Sequence, residues 1–275
     1  MRKIKLGLIG YGNVGSGLVK LLKTSQRHIK NKFQLEFEFQ GICDLAFAKH
    51  QPSGLGKTRI TTDAQSLLSD PKIDVIVELI GGLHPAKEFV LSALKNGKDV
   101  VTANKALIAE YGQELFKEAR ACGKHIYFET AVQAGVPIIK TLTEGLAGNQ
   151  FTAVYGIING TCNYILSEMS AHGLSFDDAV KKAQAKGFAE TDPTLDINGM
   201  DSAYKLSILA YLAFGKFLKP KNIHTEGITH ISHQDIEFAE ELGLAIKLLA
   251  IAKKNNKEIE ARVHPTLIHK DHPLA

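Results

Sequence analysis

Along the first half of the chain, the spacing of the apolar positions changes repeatedly from a strand-like to a helix-like period. Short apolar runs of strand length are each followed by a stretch with helical spacing. The strand-like runs lie at residues 4–9, 37–44, 73–80, 98–102 and 124–129. Strands that alternate with helices in this way predict a parallel sheet covered by helices on both faces. We therefore expect a doubly wound α/β domain over residues 1–129.

The pattern changes after residue 129, where longer helical stretches replace the alternation. Strand-like segments remain at 151–158 and 259–263. The helical stretches lie at 138–147, 162–171, 176–186, 200–214 and 235–254, with Thr161 as the expected cap of the second. This mixture predicts a second α/β (α+β) domain over residues 130–275.

A glycine fingerprint follows the first strand directly and opens a helix. In Gly10-Tyr-Gly12-Asn-Val-Gly15, the first glycine permits the tight turn and the second lets backbone approach a pyrophosphate. Gly15 allows helix and strand to pack closely, and the helix N-terminus directs backbone N–H groups at the phosphates. Strand, glycine turn and helix in this order predict a Rossmann-type dinucleotide site, although unrelated α/β proteins also contain glycine turns.

The expected second strand ends at Asp44, where a carboxylate accepts a ribose 2′-OH. No arginine adjoins Asp44, and Lys49 is the nearest cation further along, which favours NAD over NADP. Ligands of such sheets bind beyond the carboxyl ends of the strands. The glycine turn, Asp44, Gly81 and residues 102–105 are therefore expected at one edge.

Residues 187–205 hold four carboxylates and end in a lysine: Glu190, Asp192, Asp196, Asp201 and Lys205. A helix starting at Asn198-Gly199 places Asp201 and Lys205 four apart on one face. That face continues into an apolar run, so the lysine is partly desolvated and needs a carboxylate. Taken alone, the segment favours a helix N-terminal acid and a surface ion pair.

Composition excludes several classes of protein. The chain has 275 residues, 44% of them apolar and 23% charged, and a net charge of +4, as expected of an ordinary soluble protein with two domains. It has no membrane-length apolar run, and we expect no signal peptide because the first residues lead directly into a strand-like segment. The basic stretch 20–32 lacks interleaved aromatics, so we expect a solvated helix face and no nucleic-acid partner.

Cysteine and histidine spacing bears on compartment and metals. Three widely spaced cysteines (Cys43, Cys122 and Cys162) fit neither a disulfide framework nor a CxxC metal site, which favours a cytoplasmic protein. The histidines lack the spacing of a zinc site. A monovalent cation held by backbone carbonyls would leave no such signature.

Several segments along the whole chain resemble the homoserine dehydrogenase family. They are residues 10–15, 102–106, 156–165, 187–205, 262–266 and 272–275. The resemblance implies NAD(P)-linked interconversion of L-homoserine and L-aspartate 4-semialdehyde, on the route to threonine and methionine. It also implies a homodimer formed through the second domain.

Carried over by position, the resemblance implies that Lys205 moves the substrate hydroxyl proton, with Asp201 as its orienting carboxylate and Lys105 as a second catalytic lysine. Glu190 and Asp196 bind the substrate ammonium, whereas Asp192, which precedes Pro193, only stabilises the turn. Asn13, Val14, Thr102, Lys105 and the backbone of Gly187 border the cofactor. Glu129, Val132, Ala134 and Val136 match a loop that holds sodium in the family, largely through main-chain oxygens.

The chain departs from the family pattern at two places. Gln133-Ala134 stands where the family loop usually carries small glycines. Related chains continue past the position of Ala275, so the second domain is expected to lack the family's C-terminal segment. Two alternatives follow: a truncated dinucleotide-binding protein with weak catalysis, or an oxidoreductase acting on another amino-acid-like alcohol.

Overall fold

The structure is a computed structural model that describes residues 1–48, 55–56, 58–256 and 258–275. It divides the chain into two compact units, Met1–Pro137 and Ile138–Ala275. The division falls a few residues after the boundary expected at residue 129. Lys49, considered above as the nearest cation to Asp44, lies outside the described residues.

A parallel sheet forms the centre of the first unit. Its strands are β1 (Arg2–Ile9), β2 (Leu35–Cys43), β3 (Arg59–Thr61), β4 (Val75–Glu78), β5 (Asp99–Thr102) and β6 (Ile126–Tyr127). Within the described residues the order is β3-β2-β1-β4-β5-β6, and every neighbouring pair is parallel. The doubly wound parallel sheet predicted from the sequence is confirmed, with β3 as an additional edge strand. The order in which successive strands are added to the sheet reverses between β1 and β4, which is where such sheets bind ligands.

Helices connect these strands. They are α1 (Asn13–Phe33), α2 (Gln65–Leu68), α3 (Ala86–Lys95), α4 (Lys105–Ala121) and α5 (Thr130–Gln133). α1 carries the basic stretch: Lys20, Lys23 and Arg27 are exposed, whereas Val19 is buried in the core. The basic residues therefore form a solvent-facing side of an amphipathic helix, as the sequence predicted.

The second unit has a mixed sheet packed against helices. Its strands are β7 (Ala153–Gly156), β8 (His224–Thr225), β9 (Leu244–Asn255) and β10 (Glu258–His269), in the order β7-β9-β10-β8. Its helices are α6 (Ile138–Lys140), α7 (Gly160–His172), α8 (Phe176–Ala185), α9 (Thr194–Ile197), α10 (Met200–Phe214) and α11 (His233–Glu241), with a π-helical turn at Thr141–Gly145. α7, α8, α10 and the sheet share one apolar core.

The helix predicted over residues 235–254 was wrong. The chain forms α11 and then turns at Gly243, whose φ of 72° is readily adopted by glycine. It continues as β9, which pairs with β10 in an antiparallel hairpin along its whole length. Leu248, Ala250 and Ala252 of β9 lie in the core. A fully buried strand gives a continuous apolar run, which periodicity alone does not separate from a buried helix.

Among the described residues, no helix is long and apolar enough to cross a membrane.

Candidate active site

The glycine turn of the first unit is tight because backbone atoms fill the space beside two of its glycines. β1 ends at Ile9 and α1 begins at Asn13. A Cβ at Gly10, whose φ is 102°, would lie 2.6 Å from the Leu79 backbone, and a Cβ at Gly15 would lie 2.1 Å from the Gly10 carbonyl oxygen. A Cβ at Gly12 would meet nothing within 4 Å. Gly10 and Gly15 thus serve packing, and Gly12 keeps an open approach to the backbone.

The N-terminus of α1 suits an anion. No side chain caps this terminus, and its first turn contains no acidic residue. Asn13 and Val14 are exposed there. The positive end of the helix dipole is therefore not neutralised by the helix's own side chains, and it fits the pyrophosphate of a dinucleotide.

Asp44 is bound to the glycine turn through its side chain. Its Oδ2 accepts the Tyr11 backbone N–H at 2.6 Å, and its Oδ1 accepts the Ala46 N–H at 2.8 Å. The sequence predicted a ribose contact here but gave no sign of these bonds. They show that Asp44 also fixes the turn that precedes α1, and each carboxylate oxygen retains a further acceptor site.

A buried carboxylate, missed in the sequence analysis, joins the ends of β4 and β5. Glu78 is fully buried. Its Oε1 accepts backbone N–H groups of Ile80 at 2.9 Å and Gly81 at 3.3 Å, and its Oε2 accepts the Thr102 hydroxyl at 2.7 Å. Burial raises the pKa of Glu78, while these hydrogen bonds oppose the rise. The sequence did contain a signal for this network, since Glu78 lies within an apolar run that was predicted to be a buried strand. A carboxylate buried there needs hydrogen-bond donors around it.

The same network reaches the start of α4. The Asn104 backbone N–H donates to the Thr102 hydroxyl oxygen at 3.0 Å, and its side-chain amide donates to the Gly82 carbonyl at 2.6 Å. Its Oδ1 accepts the Leu107 N–H at 3.1 Å, which caps α4. Lys105 is the first residue of that helix. The network therefore sets where the Lys105 side chain leaves the backbone.

The loop expected to hold sodium surrounds α5. Glu129 precedes this helix, Val132 is buried within it, and Ala134 follows it with φ of 47°. Val136 is exposed. Over the part of the chain that is described, no group of three or more His, Cys, Asp or Glu side chains could hold a metal ion.

In the second unit, the expected Asp201–Lys205 pair forms and is buried. α10 begins after Gly199, as predicted. The Lys205 Nζ lies 2.7 Å from Asp201 Oδ2 and donates to the Ile158 carbonyl at 2.9 Å. Asp201 is 2% exposed. This burial excludes the surface ion pair that the segment also fitted when taken alone.

Asn159 connects this pair to Asp196. Its Nδ2 donates to Asp196 Oδ1 at 2.7 Å and to Asp201 Oδ2 at 2.8 Å. Its Oδ1 accepts the Cys162 N–H at 2.8 Å and so caps α7. The expected cap, Thr161, was wrong: its hydroxyl donates to the Phe188 carbonyl instead. The preference of asparagine for the cap position was the signal that could have identified Asn159.

Cys162 lies against the same carboxylates but is not a nucleophile. Its thiol donates to the Asp196 carbonyl at 3.1 Å. Burial, with the nearby charges of Asp196 and Asp201, raises the pKa of this thiol. It therefore stays protonated at neutral pH, and only thiolates are reactive.

Glu190 and Asp192 lie in the exposed loop between α8 and α9, which begins with Gly187 at φ of 76°. Asp192 Oδ1 accepts the Thr194 N–H at 3.1 Å, and hydrogen bonds from Thr194 lower the pKa of Asp192, as befits a turn residue. The backbone carbonyl of Glu190 accepts the Gln184 amide at 3.2 Å. Among the described contacts, the hydrogen bonds that join Asp196, Asp201 and Lys205 do not include Glu190.

These features define a class: two-domain proteins with a dinucleotide-binding α/β unit and a separate unit that carries a lysine–carboxylate site. Comparison of the sequence with protein-family models identifies the family within this class. The homoserine dehydrogenase domain matches residues 137–275, and the homoserine dehydrogenase NAD-binding domain matches residues 10–129. The chain belongs to the homoserine dehydrogenase family.

Individual relatives agree along the whole chain. Homoserine dehydrogenases of Synechocystis and of Neisseria gonorrhoeae are each 45% identical, over 99% and 100% of this chain. A crystal structure of the homoserine dehydrogenase from Thiobacillus denitrificans is 46% identical over 99% of this chain, with a TM-score of 0.91. This chain spans 63% of the length of each of these three proteins.

Gly15 and Gly17 provide a matched test of the glycine turn. We expect Gly15→Ala to lower the free energy of unfolding by about 3 kcal/mol, because its Cβ would clash with the Gly10 carbonyl. Gly17, also in α1, has open space beside it, so Gly17→Ala should raise stability by up to about 1 kcal/mol. Urea denaturation measures both. Equal effects would contradict the close packing at Gly15.

Glu78→Gln tests the buried carboxylate through pH. A carboxyl whose pKa is raised by folding contributes stability that is present below its unfolded pKa and lost as pH rises through its folded pKa. The unfolding free energy of the wild type minus that of Glu78→Gln should therefore fall as pH rises above about 4, where the unfolded carboxyl ionises first. Urea denaturation at several pH values measures this difference. A difference that grows with pH would show a lowered pKa instead.

Proposed function

We propose that the chain catalyses the NAD(P)-linked interconversion of L-homoserine and L-aspartate 4-semialdehyde. Family membership supports the reaction, and the buried Asp201–Lys205 pair with Asp196 beside it is the observation that carries the assignment of residues. An alcohol-to-aldehyde oxidation needs a group that removes the hydroxyl proton, and a substrate with an α-ammonium needs a carboxylate. The second unit supplies both.

Lys205 is assigned the proton transfer. An ammonium has three hydrogens, and Asp201 and the Ile158 carbonyl accept two of them. We assign the third position to the substrate oxygen. In oxidation the neutral amine accepts the hydroxyl proton, and in reduction the ammonium donates to the developing alkoxide. Asp201 orients the amine in both directions.

Asp196 and Glu190 are assigned the substrate ammonium. Asp196 Oδ1 is used by Asn159, which leaves Oδ2 to the ligand. Glu190 is exposed in its loop and would contribute a second carboxylate. Two carboxylates favour an amino-acid substrate over an uncharged alcohol because only the former offers a compensating positive charge.

The cofactor is assigned to the first unit, and the backbone of Gly187 stays a cofactor contact implied by the family resemblance alone. Gly10, Gly12, Gly15, Asn13 and Val14 form the pyrophosphate side. The remaining proposed contacts are Asp44, Gly81, Thr102 and Lys105. When bound, the nicotinamide supplies the hydride acceptor. Asp44 at the end of β2 favours NAD over NADP, since a 2′-phosphate would meet its negative charge.

Three further properties are proposed, the first two from the family resemblance and the third from the cysteines. Main-chain oxygens of Glu129, Val132, Ala134 and Val136 would hold a sodium ion. Two copies would associate through the second unit as a homodimer. The free thiols Cys43, Cys122 and Cys162 fit a reducing cytoplasm. Sodium dependence of activity and light scattering of the purified protein address the first two.

The direct test is an assay of purified protein with homoserine and each cofactor. Absorbance at 340 nm should rise, faster with NAD than with NADP at equal concentrations. Folded protein that binds NADH tightly without turning over would replace the proposal with a dinucleotide-binding role. A preference for an uncharged alcohol would favour another oxidoreductase.

Lys205→Ala tests the proton-transfer role. We expect kcat to fall about 100-fold or more, because a positioned proton-transfer group contributes on that order. The KM for NAD should stay within about twofold, since the cofactor contacts are unchanged. Lys216→Ala, an exposed lysine just after α10, is the matched control and should be neutral. Steady-state kinetics measure both, and a near-wild-type kcat for Lys205→Ala would move the role to Lys105 or water.

A further inference from the structure

Asn159 is a buried polar residue that the proposed mechanism leaves without a role. It is 4% exposed, and it makes three strong side-chain hydrogen bonds. The orientation of its amide is determined by these partners. Only Oδ1 can accept the Cys162 N–H, so the two hydrogens on Nδ2 must face Asp196 and Asp201.

The two carboxylates that share this amide carry like charges and lie on different helices, α9 and α10. Ionised carboxylates accept hydrogen bonds but cannot donate one to each other, and their charges repel. Asn159 donates one hydrogen to each carboxylate. Lys205 lies on the Asp201 side and compensates that charge. Asp196 keeps an oxygen that Asn159 does not use.

We propose that Asn159 is a positioning residue that holds the ammonium-binding carboxylate Asp196 at a set distance from the Asp201–Lys205 pair. The inference rests on the proposed function, since it assigns Asp196 to the substrate ammonium and Lys205 to the substrate hydroxyl. Homoserine carries these two groups a fixed number of bonds apart. The amide of Asn159 thereby fixes the relative position of the two protein groups that are assigned to them.

Capping of α7 alone does not require asparagine. The cap uses Oδ1, and aspartate or serine caps a helix about as well. Only the NH2 group can donate to both carboxylates at once. Asn159→Asp therefore keeps the cap but replaces the two donated hydrogen bonds with repulsion between its own carboxylate and those of Asp196 and Asp201. Asn159→Ala removes the cap and both donated hydrogen bonds together.

The rank order of these variants separates the two roles. If Asn159 positions the carboxylates, Asn159→Asp should lower kcat/KM for homoserine at least as much as Asn159→Ala, by about tenfold or more, as expected for the loss of a charge-assisted hydrogen bond. The KM for NAD should be unchanged. If Asn159 only caps α7, Asn159→Asp should behave as wild type and Asn159→Ala should be the impaired variant, which would overturn the inference.

Ser232→Ala is the control for lost capping. Ser232 caps α11 of the same unit through a capping box, so this variant should lower Tm without changing the KM for homoserine. If Asn159→Asp does not fold, Asn159→Ser keeps a cap with one donor, and its kcat/KM should still fall.

A crystal structure of Asn159→Ala gives a test that does not depend on turnover. We expect Asp196 and Asp201 to have moved apart, and unchanged carboxylate positions would refute the positioning role. Absence of homoserine turnover in the wild type would refute the proposed function instead. Normal turnover in the wild type and in Asn159→Asp would refute only the inference.

Discussion

The second unit depends on keeping a charged lysine and a charged aspartate away from water. Asp201 is 2% exposed, and Lys205 is largely covered. Burying charges costs free energy unless each is paired and its remaining hydrogen-bonding capacity is used. Here the Ile158 carbonyl and the Asn159 amide meet that requirement, together with the 2.7 Å ion pair itself. The end of β7, the start of α7 and the first turn of α10 are joined by these bonds.

The first unit follows a similar principle with a single buried carboxylate. Glu78 holds the turn after β4 and the Thr102 hydroxyl, and Asn104 extends the network to the Gly82 carbonyl and the cap of α4. Backbone groups at the carboxyl ends of two neighbouring strands are thereby fixed. Preorganised backbone is what a dinucleotide site requires, because a ligand binds more tightly when little must be ordered on binding.

Elements with a strong local signal could be predicted from the sequence, and residues that act over long range could not. The glycine turn and the Asp201–Lys205 spacing are local features, and both were located correctly. Asn159 and Glu78 have partners between 24 and 42 residues away, so no local pattern marks those contacts. β9 was mistaken for a helix because its partner β10 decides its conformation. The remaining site assignments came from the carboxyl ends of the predicted strands or from family resemblance, and they stay predictions.

The most direct measurement of the central claim is a crystal structure of the protein with homoserine and reduced cofactor, a complex that cannot turn over. The account predicts that the substrate hydroxyl lies about 2.6–3.2 Å from Lys205 Nζ, the range for direct proton transfer. It also predicts that the substrate ammonium contacts Asp196. A hydroxyl that contacts only water or Lys105, with Lys205 turned to Asp201 and Ile158 alone, would contradict the assignment.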